Sequence, residues 1–174
     1  MDAVAVGDPA DPETVCGPLI SARQRDRVQG YLDLAVAEGG SFARGGRRPP
    51  QLARGYFIEP TVIRGLTNDA RVAREEIFGP VLVVLAHDGD ADAVRIANDS
   101  PYGLSATVWG ADPDRVDRVV SGLRCGTVNV NGGVWYSADV PFGGYKQSGV
   151  GREMGLAGFE EYLETKIVAT AGHL

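Results

Sequence analysis

The stretch that most constrains the fold runs from Val81 to Asn131, where the apolar pattern switches repeatedly between strand-like and helical spacing. Val81 to Ala86 is an unbroken apolar run, as a strand buried on both faces requires. Asp88 to Asp90 then leads into a short helical segment holding Ala93, Ile96 and Ala97. Leu104 to Trp109 is strand-like again. Asp112 is placed to cap the next helix and Pro113 suits its first position. Val116, Val119, Val120 and Leu123 follow at i, i+3, i+4 and i+7, giving an expected helix from Pro113 to Leu123. Gly126 ends that turn, and Thr127 to Asn131 alternates as a third strand. Strands that alternate with helices over short connections imply parallel pairing. The expected class is α/β, an open, mainly parallel sheet with flanking helices, with these three strands side by side.

Upstream, Ser21 can cap a helix running to about Glu38, with Val28, Leu32 and Ala35 on one face and Gly39-Gly40 as its stop. Ser41 to Arg54 reads as loop. Tyr56 to Ile63 is strand-like but carries Pro60, which removes a ladder donor and implies an edge strand or a break. A length of 174 residues suits a single domain, 1–174, and 44% hydrophobic with 23% charged residues is ordinary globular composition. A net charge of −6 argues against a nucleic-acid surface, and Arg44, Arg47, Arg48 and Arg54 read as a solvated loop. No apolar run approaches the ~18 residues of a membrane helix, and no secretory signal is visible, so the cytoplasm is the expected compartment. The two cysteines and two histidines have no metal-ligand spacing. Cys16 and Cys125 both read as small buried thiols, although Arg124 beside Cys125 could favour a thiolate.

Pro141 to Glu153 is the most distinctive stretch: Pro-Phe-Gly-Gly-Tyr-Lys-Gln-Ser-Gly-Val-Gly-Arg-Glu. Gly143, Gly144, Gly149 and Gly151 permit sharp turns and close approach of other groups to the backbone. A helical segment follows, with Leu156, Phe159 and Leu163 at helical spacing, so Arg152 and Glu153 fall at a helix start. Gly149, Gly151 and Gly155 do not make a dinucleotide fingerprint, because no strand–helix–strand unit surrounds them.

This loop closely resembles the one near the C-terminus of NAD(P)-dependent aldehyde dehydrogenases. Further matching segments come in the family's order: Gly7-Asp8-Pro9, Gly17-Pro18-Leu19-Ile20-Ser21, Gly55-Tyr56-Phe57-Ile58-Glu59-Pro60-Thr61 and Glu75-Glu76-Ile77-Phe78-Gly79-Pro80-Val81. After them stand Tyr102-Gly103-Leu104-Ser105, Gly126-Thr127-Val128-Asn129-Val130-Asn131 and Tyr162-Leu163-Glu164-Thr165-Lys166. The resemblance spans nearly all of the chain but only about the last third of the family's length. It implies a partial catalytic domain plus the final strand, Lys166 to Thr170, which in the family pairs across a subunit interface.

The chemistry implied is oxidation of an aldehyde to a carboxylic acid with NAD or NADP. A cysteine thiolate attacks the carbonyl, and a glutamate-activated water later releases the acid. That cysteine and glutamate, and the cofactor-binding domain that holds the pyrophosphate, lie upstream of the part resembled here, and the family's Gly-Gln-x-Cys context does not occur in this sequence. The resemblance assigns Glu76 to the nicotinamide ribose and Phe78 to packing near the nicotinamide. Tyr136 and Phe142 would line the substrate tunnel, and Glu153 would help relay protons to the principal base.

Each of these residues also has a plainer reading. Glu76 on its own is a surface acid beside Glu75; Tyr136 and Phe142 are equally core packing. Glu153 is also an acid at a helix start, favourable against the macrodipole. Asn131 lies at a strand end, where such sheets carry ligands. Trp135 and Tyr136 are where the sequence becomes particular to this chain. The expectation is a C-terminal fragment, inactive alone, that joins a complementary N-terminal chain or forms a homo-oligomer. The alternative is a non-catalytic interaction subunit.

Overall fold

Helix α1, Ala22–Ala37, is set by its two ends and one face. Ser21 stands in extended conformation and its hydroxyl accepts the Gln24 amide hydrogen at 3.2 Å, satisfying one of the unpaired N–H groups of the first turn. Gly39, at φ +92°, turns the chain away after Glu38, as the Gly39-Gly40 pair implies. Val28, Leu32 and Ala35 are fully buried along the inner face. The computed structural model describes residues 4–134 and 136–172, and the chain divides into two compact units, 1–87 and 88–174.

In the first unit, strands β1 (Ser41–Arg44), β2 (Thr61–Arg64) and β3 (Val81–Val83) form a sheet in the order β1-β2-β3. β1 runs antiparallel to β2, and β2 runs parallel to β3, Thr61 facing Val81 and Ile63 facing Val83. The short helix α2, Arg71–Arg74, lies in the crossover between them. Pro60 thus breaks the strand rather than marking an edge: it stands just before Thr61, leaving Thr61–Arg64 free to pair on both sides. Part of the segment read as loop, Ser41–Arg44, is strand, because β2 offers it a partner. Ile58, Ile63, Leu66, Val72 and Ile77 close the core over Val28, Leu32 and Ala35. The one buried polar side chain described, Thr61, is satisfied twice: its hydroxyl donates to the Glu59 carbonyl at 2.7 Å and accepts from the Gly46 amide at 2.9 Å.

The second unit contains α3 (Asp90–Asn98), β4 (Tyr102–Gly103), β5 (Ser105–Val108), α4 (Pro113–Gly122), β6 (Thr127–Val130), β7 (Tyr145–Lys146) and α5 (Gly155–Glu160). β5 and β6 pair in parallel with α4 as the crossover, while β4 and β7 pair antiparallel. Asp112 caps α4, accepting from the Asp114 and Arg115 amides, with Pro113 at the first position. The single sheet expected from Val81, Leu104 and Thr127 is therefore corrected. β3 takes β2 as its partner, and β5 pairs with β6 in a separate sheet. α5 stops at Glu160, short of Leu163, and Lys166 to Thr170 is not a strand. Ile167 and Val168 are exposed there, and a strand requires a neighbour that this segment lacks among the described residues. No described helix is long and apolar enough to cross a membrane.

Candidate functional site

The two adjacent acids of the Glu75-Glu76 pair have opposite surroundings. The Glu75 carboxylate accepts two hydrogen bonds from Arg71, at 2.7 and 3.0 Å, and one from the Tyr31 hydroxyl at 2.7 Å. Arg71 first and Tyr31 second hold its pKa down from 4.5 to about 2. The Glu76 carboxylate is exposed and bonds to no described residue. Its backbone carbonyl, by contrast, accepts from the Arg27 guanidinium at 2.8 Å.

The Gln24 side-chain amide continues this tether, donating to the carbonyls of Ile77 at 3.2 Å and Phe78 at 2.9 Å. Ile77 is buried in the core, while Phe78 stands at φ +56° and is 65% exposed. A bulky residue in the left-handed region costs about 1–3 kcal/mol and persists only where neighbours hold it. Gly79 lets the loop lie on α1: a Cβ there would stand 2.6 Å from Val28 Cγ2. Phe78 rises between two hollows of this unit. One, of about 490 Å³, is lined by Ser21, Arg23, Gln24 and Arg27; the other, of about 380 Å³, includes Glu76, Gly79 and Leu82.

The second unit carries the other candidates around the glycine-rich loop. Phe142 and Glu153 exchange backbone N–H···O bonds, both 2.7 Å, closing the loop at its base. Inside it, Arg152 donates to the carbonyls of Gly144 at 3.1 Å and Gly151 at 2.7 Å, and lies 5.5 Å from the Tyr145 ring centroid. Glu153 precedes α5 rather than beginning it, and its exposed carboxylate bonds to no described residue. Tyr136 is 66% exposed and packs edge-on against Phe142, with ring centroids 5.6 Å apart. A hollow of about 330 Å³ lies between Phe142, Gly151, Arg152, Glu153 and Tyr162. Trp135 lies outside the described residues.

Three other residues have structural assignments. Asn131 uses both ends of its amide on Gly110, accepting from its N–H and donating to its carbonyl at 2.9 Å each, so it clamps β5 to β6. Burial raises the pKa of Cys125, and its thiol points to the Thr127 carbonyl at 3.3 Å; burial also raises that of Cys16. Neither is a poised thiolate. Among the described residues no group of potential ligands could hold a metal ion.

Residues 1–168 match the aldehyde dehydrogenase family. The chain belongs to that family. Betaine aldehyde dehydrogenase of Bacillus subtilis is 44% identical over 167 residues, covering 95% of this chain and 34% of that protein. Geranial dehydrogenase of Castellaniella defragrans is 44% identical over 174 residues, covering 99% of this chain and 35% of that protein. The crystal structure of Staphylococcus aureus betaine aldehyde dehydrogenase in complex with NAD+ superimposes with a TM-score of 0.89 at 43% identity, over 95% of this chain and 33% of that one. The chain thus spans about a third of the length of the relatives it matches, and its α/β fold is that of the corresponding part of the family structure.

Sequence reading did not single out Gln24 and Arg27. They reach the Glu76–Phe78 loop from about fifty positions away along the chain. The spelling Ser21-Ala-Arg-Gln24 points instead to a local capping box.

Proposed function

We propose that this chain supplies part of the cofactor and substrate walls of an NAD(P)-dependent aldehyde dehydrogenase, which oxidises an aldehyde to a carboxylic acid. The observation that carries the reading is the contrast between Glu75 and Glu76. The loop backbone is tied down and Glu75 is consumed in the tie, whereas the next carboxylate is left exposed beside an exposed ring. An exposed, unbonded carboxylate fits a ribose diol, whose hydroxyls would donate charge-assisted hydrogen bonds to it. The face of Phe78 fits a planar ring held nearby. The nicotinamide, when bound, is the hydride acceptor. Glu76 and Phe78 fix where it sits, and Tyr136 and Phe142 form the aldehyde's wall. The exposure of Tyr136 favours that role over core packing. Glu153 moves protons at its carboxylate toward a principal base that this chain does not contain.

The nucleophile is likewise supplied from outside these residues, since the chain has no Gly-Gln-x-Cys and partial burial raises the pKa of both thiols, against thiolate formation. Turnover then requires a complementary N-terminal portion or chain. The second reading, a non-catalytic interaction subunit, is favoured by the exposed apolar residues Leu156, Phe159, Tyr162 and Ile167. Reconstitution with the upstream portion of a family relative tests the first reading. Glu76→Gln, which keeps shape and removes charge, should slow single-turnover hydride transfer roughly tenfold or more. Unchanged hydride rate and cofactor affinity in Glu76→Gln would return Glu76 to a plain surface acid. Association without any aldehyde-dependent reduction of NAD or NADP would favour the interaction subunit.

A further inference from the structure

We propose that Gln24 and Arg27, braced by Tyr31 and Glu75, are positioning residues that set the Glu76–Phe78 loop in its ligand-presenting form. The inference rests on the cofactor reading of that loop. Gln24, Arg27 and Tyr31 stand three and four positions apart, so they share one stripe of α1. From that stripe come side-chain donors to three successive carbonyls, those of Glu76, Ile77 and Phe78. Successive carbonyls bound from one side fix the peptide planes between them, and with those planes the directions of the Glu76 and Phe78 side chains. No other described hydrogen bond acts on these three carbonyls.

Gln24 shows the diversion most clearly. It occupies the third position after the cap Ser21, where a glutamine ordinarily serves its own helix end. Here its amide nitrogen is turned to the loop. Arg27 is held in turn by Tyr31, its guanidinium 3.4 Å from the Tyr31 hydroxyl and 5.3 Å from the ring centroid. The Tyr31 hydroxyl donates to Glu75, which Arg71 grips through two bonds. The brace therefore returns to the residue immediately before the loop. Exposed Arg27 would otherwise lose the single contact to rotamer freedom.

The test uses the 174-residue chain reconstituted with the upstream portion of a family relative, and NAD+ itself as probe. NMR order parameters and carbonyl shifts of residues 76–78 report loop order, and NAD+-induced shifts of Glu76 and Phe78 report presentation. Gln24→Glu keeps the volume but replaces a donor by an acceptor facing two carbonyls. We expect lower order at 76–78, with α1 and β2 unchanged, and NAD+ response weakened about fivefold or more. Tyr31→Phe should give the same pattern more weakly, and Gln24→Ala should resemble Gln24→Glu. A loop equally ordered in Gln24→Glu and Gln24→Ala, with the NAD+ response intact, would overturn the positioning role alone. No NAD+-dependent shift at Glu76 or Phe78 in the parent chain would overturn the cofactor reading and this inference with it. Disorder that spreads through α1 in Gln24→Ala would make Gln24 a helix-stabilising residue and also overturn the proposal.

Discussion

The first unit is organised from the inside outward, and the second through its backbone. In residues 4–87 a helix and a three-stranded sheet enclose eight buried apolar side chains, and the candidate loop hangs from that core through Ile77. In residues 88–172 the described buried side chain of that kind is Val116, and the structure is set by main-chain close approach and polar clamps. A Cβ on Gly126 would coincide with the Gly143 carbonyl oxygen, and one on Gly103 would stand 2.6 Å from the Arg124 carbonyl. Asn98 donates to Gly122 O and accepts from Arg124 N, both at 2.8 Å, fixing the end of α4. Arg115 binds Asp90 bidentately at 2.7 and 2.8 Å, joining α4 to α3. Lys146 reaches the carbonyls of Asn98 and Ser100 from β7. The difference teaches where each unit is vulnerable. The first should fail through cavities, the second through added atoms and lost polar pairs.

The largest expected effect is Gly126→Ala. Its methyl group has no space beside Gly143, so the glycine-rich loop must move or the second unit must open. We expect about 4 kcal/mol or more lost from that unit, measured by residue-resolved hydrogen exchange in urea. A loss below about 1 kcal/mol would break the comparison, because the close approach would then be adjustable.

Next is Leu32→Ala in the first unit. Leu32 is fully buried against both helix and sheet neighbours, so truncation should cost about 2–5 kcal/mol and should loosen β2 and β3 together. Leu156→Ala in the second unit removes a similar number of atoms from an exposed position and should change stability by no more than about 0.5 kcal/mol. Equal losses at the two leucines would remove the distinction between the units. Asn98→Ala follows, at about 0.5–1.5 kcal/mol, since it removes two exposed hydrogen bonds whose backbone partners can turn to water. Urea unfolding of the second unit should show it, with the first unaffected.

Legibility in the sequence tracks this same division. α1 was readable to within a residue or two, because Ser21, the buried stripe and Gly39 act locally, and α4 was readable from Asp112 and Pro113. Sheet membership was not, because pairing depends on which distant strand is free. Nothing in Val81–Val83 names Thr61–Ile63 as its neighbour. The chemical spelling of Glu75–Gly79 directed attention to this loop but could not tell which acid was engaged. That took Tyr31 and Arg71, residues that approach only in the fold. The clamp made by Asn131 was not legible for the same reason, its partner Gly110 lying across the β5–β6 pair.

The smallest expected effect is an acid-side stability change confined to the first unit. Glu75 has a folded-state pKa lowered to about 2 from 4.5, chiefly by the Arg71 hydrogen bonds and then by the Tyr31 hydroxyl. Arg27 also faces it, and its positive charge acts in the same direction. A depressed carboxylate pKa means that the unfolded chain takes up the proton first. The stabilisation is therefore fully present above about pH 4.5 and is lost progressively as pH falls toward 2. Solvent screens the pair, because Arg71 is largely exposed and Glu75 partly so, and the contribution is correspondingly small. Glu75→Gln should flatten this part of the first unit's stability–pH curve while leaving the second unit's curve unchanged. Salt should flatten it as well, since the pair is screened. An unchanged slope between pH 4.5 and 2 in Glu75→Gln would assign the acid sensitivity to other carboxylates and leave Glu75 as a neutral hydrogen-bond acceptor in its effect on folding.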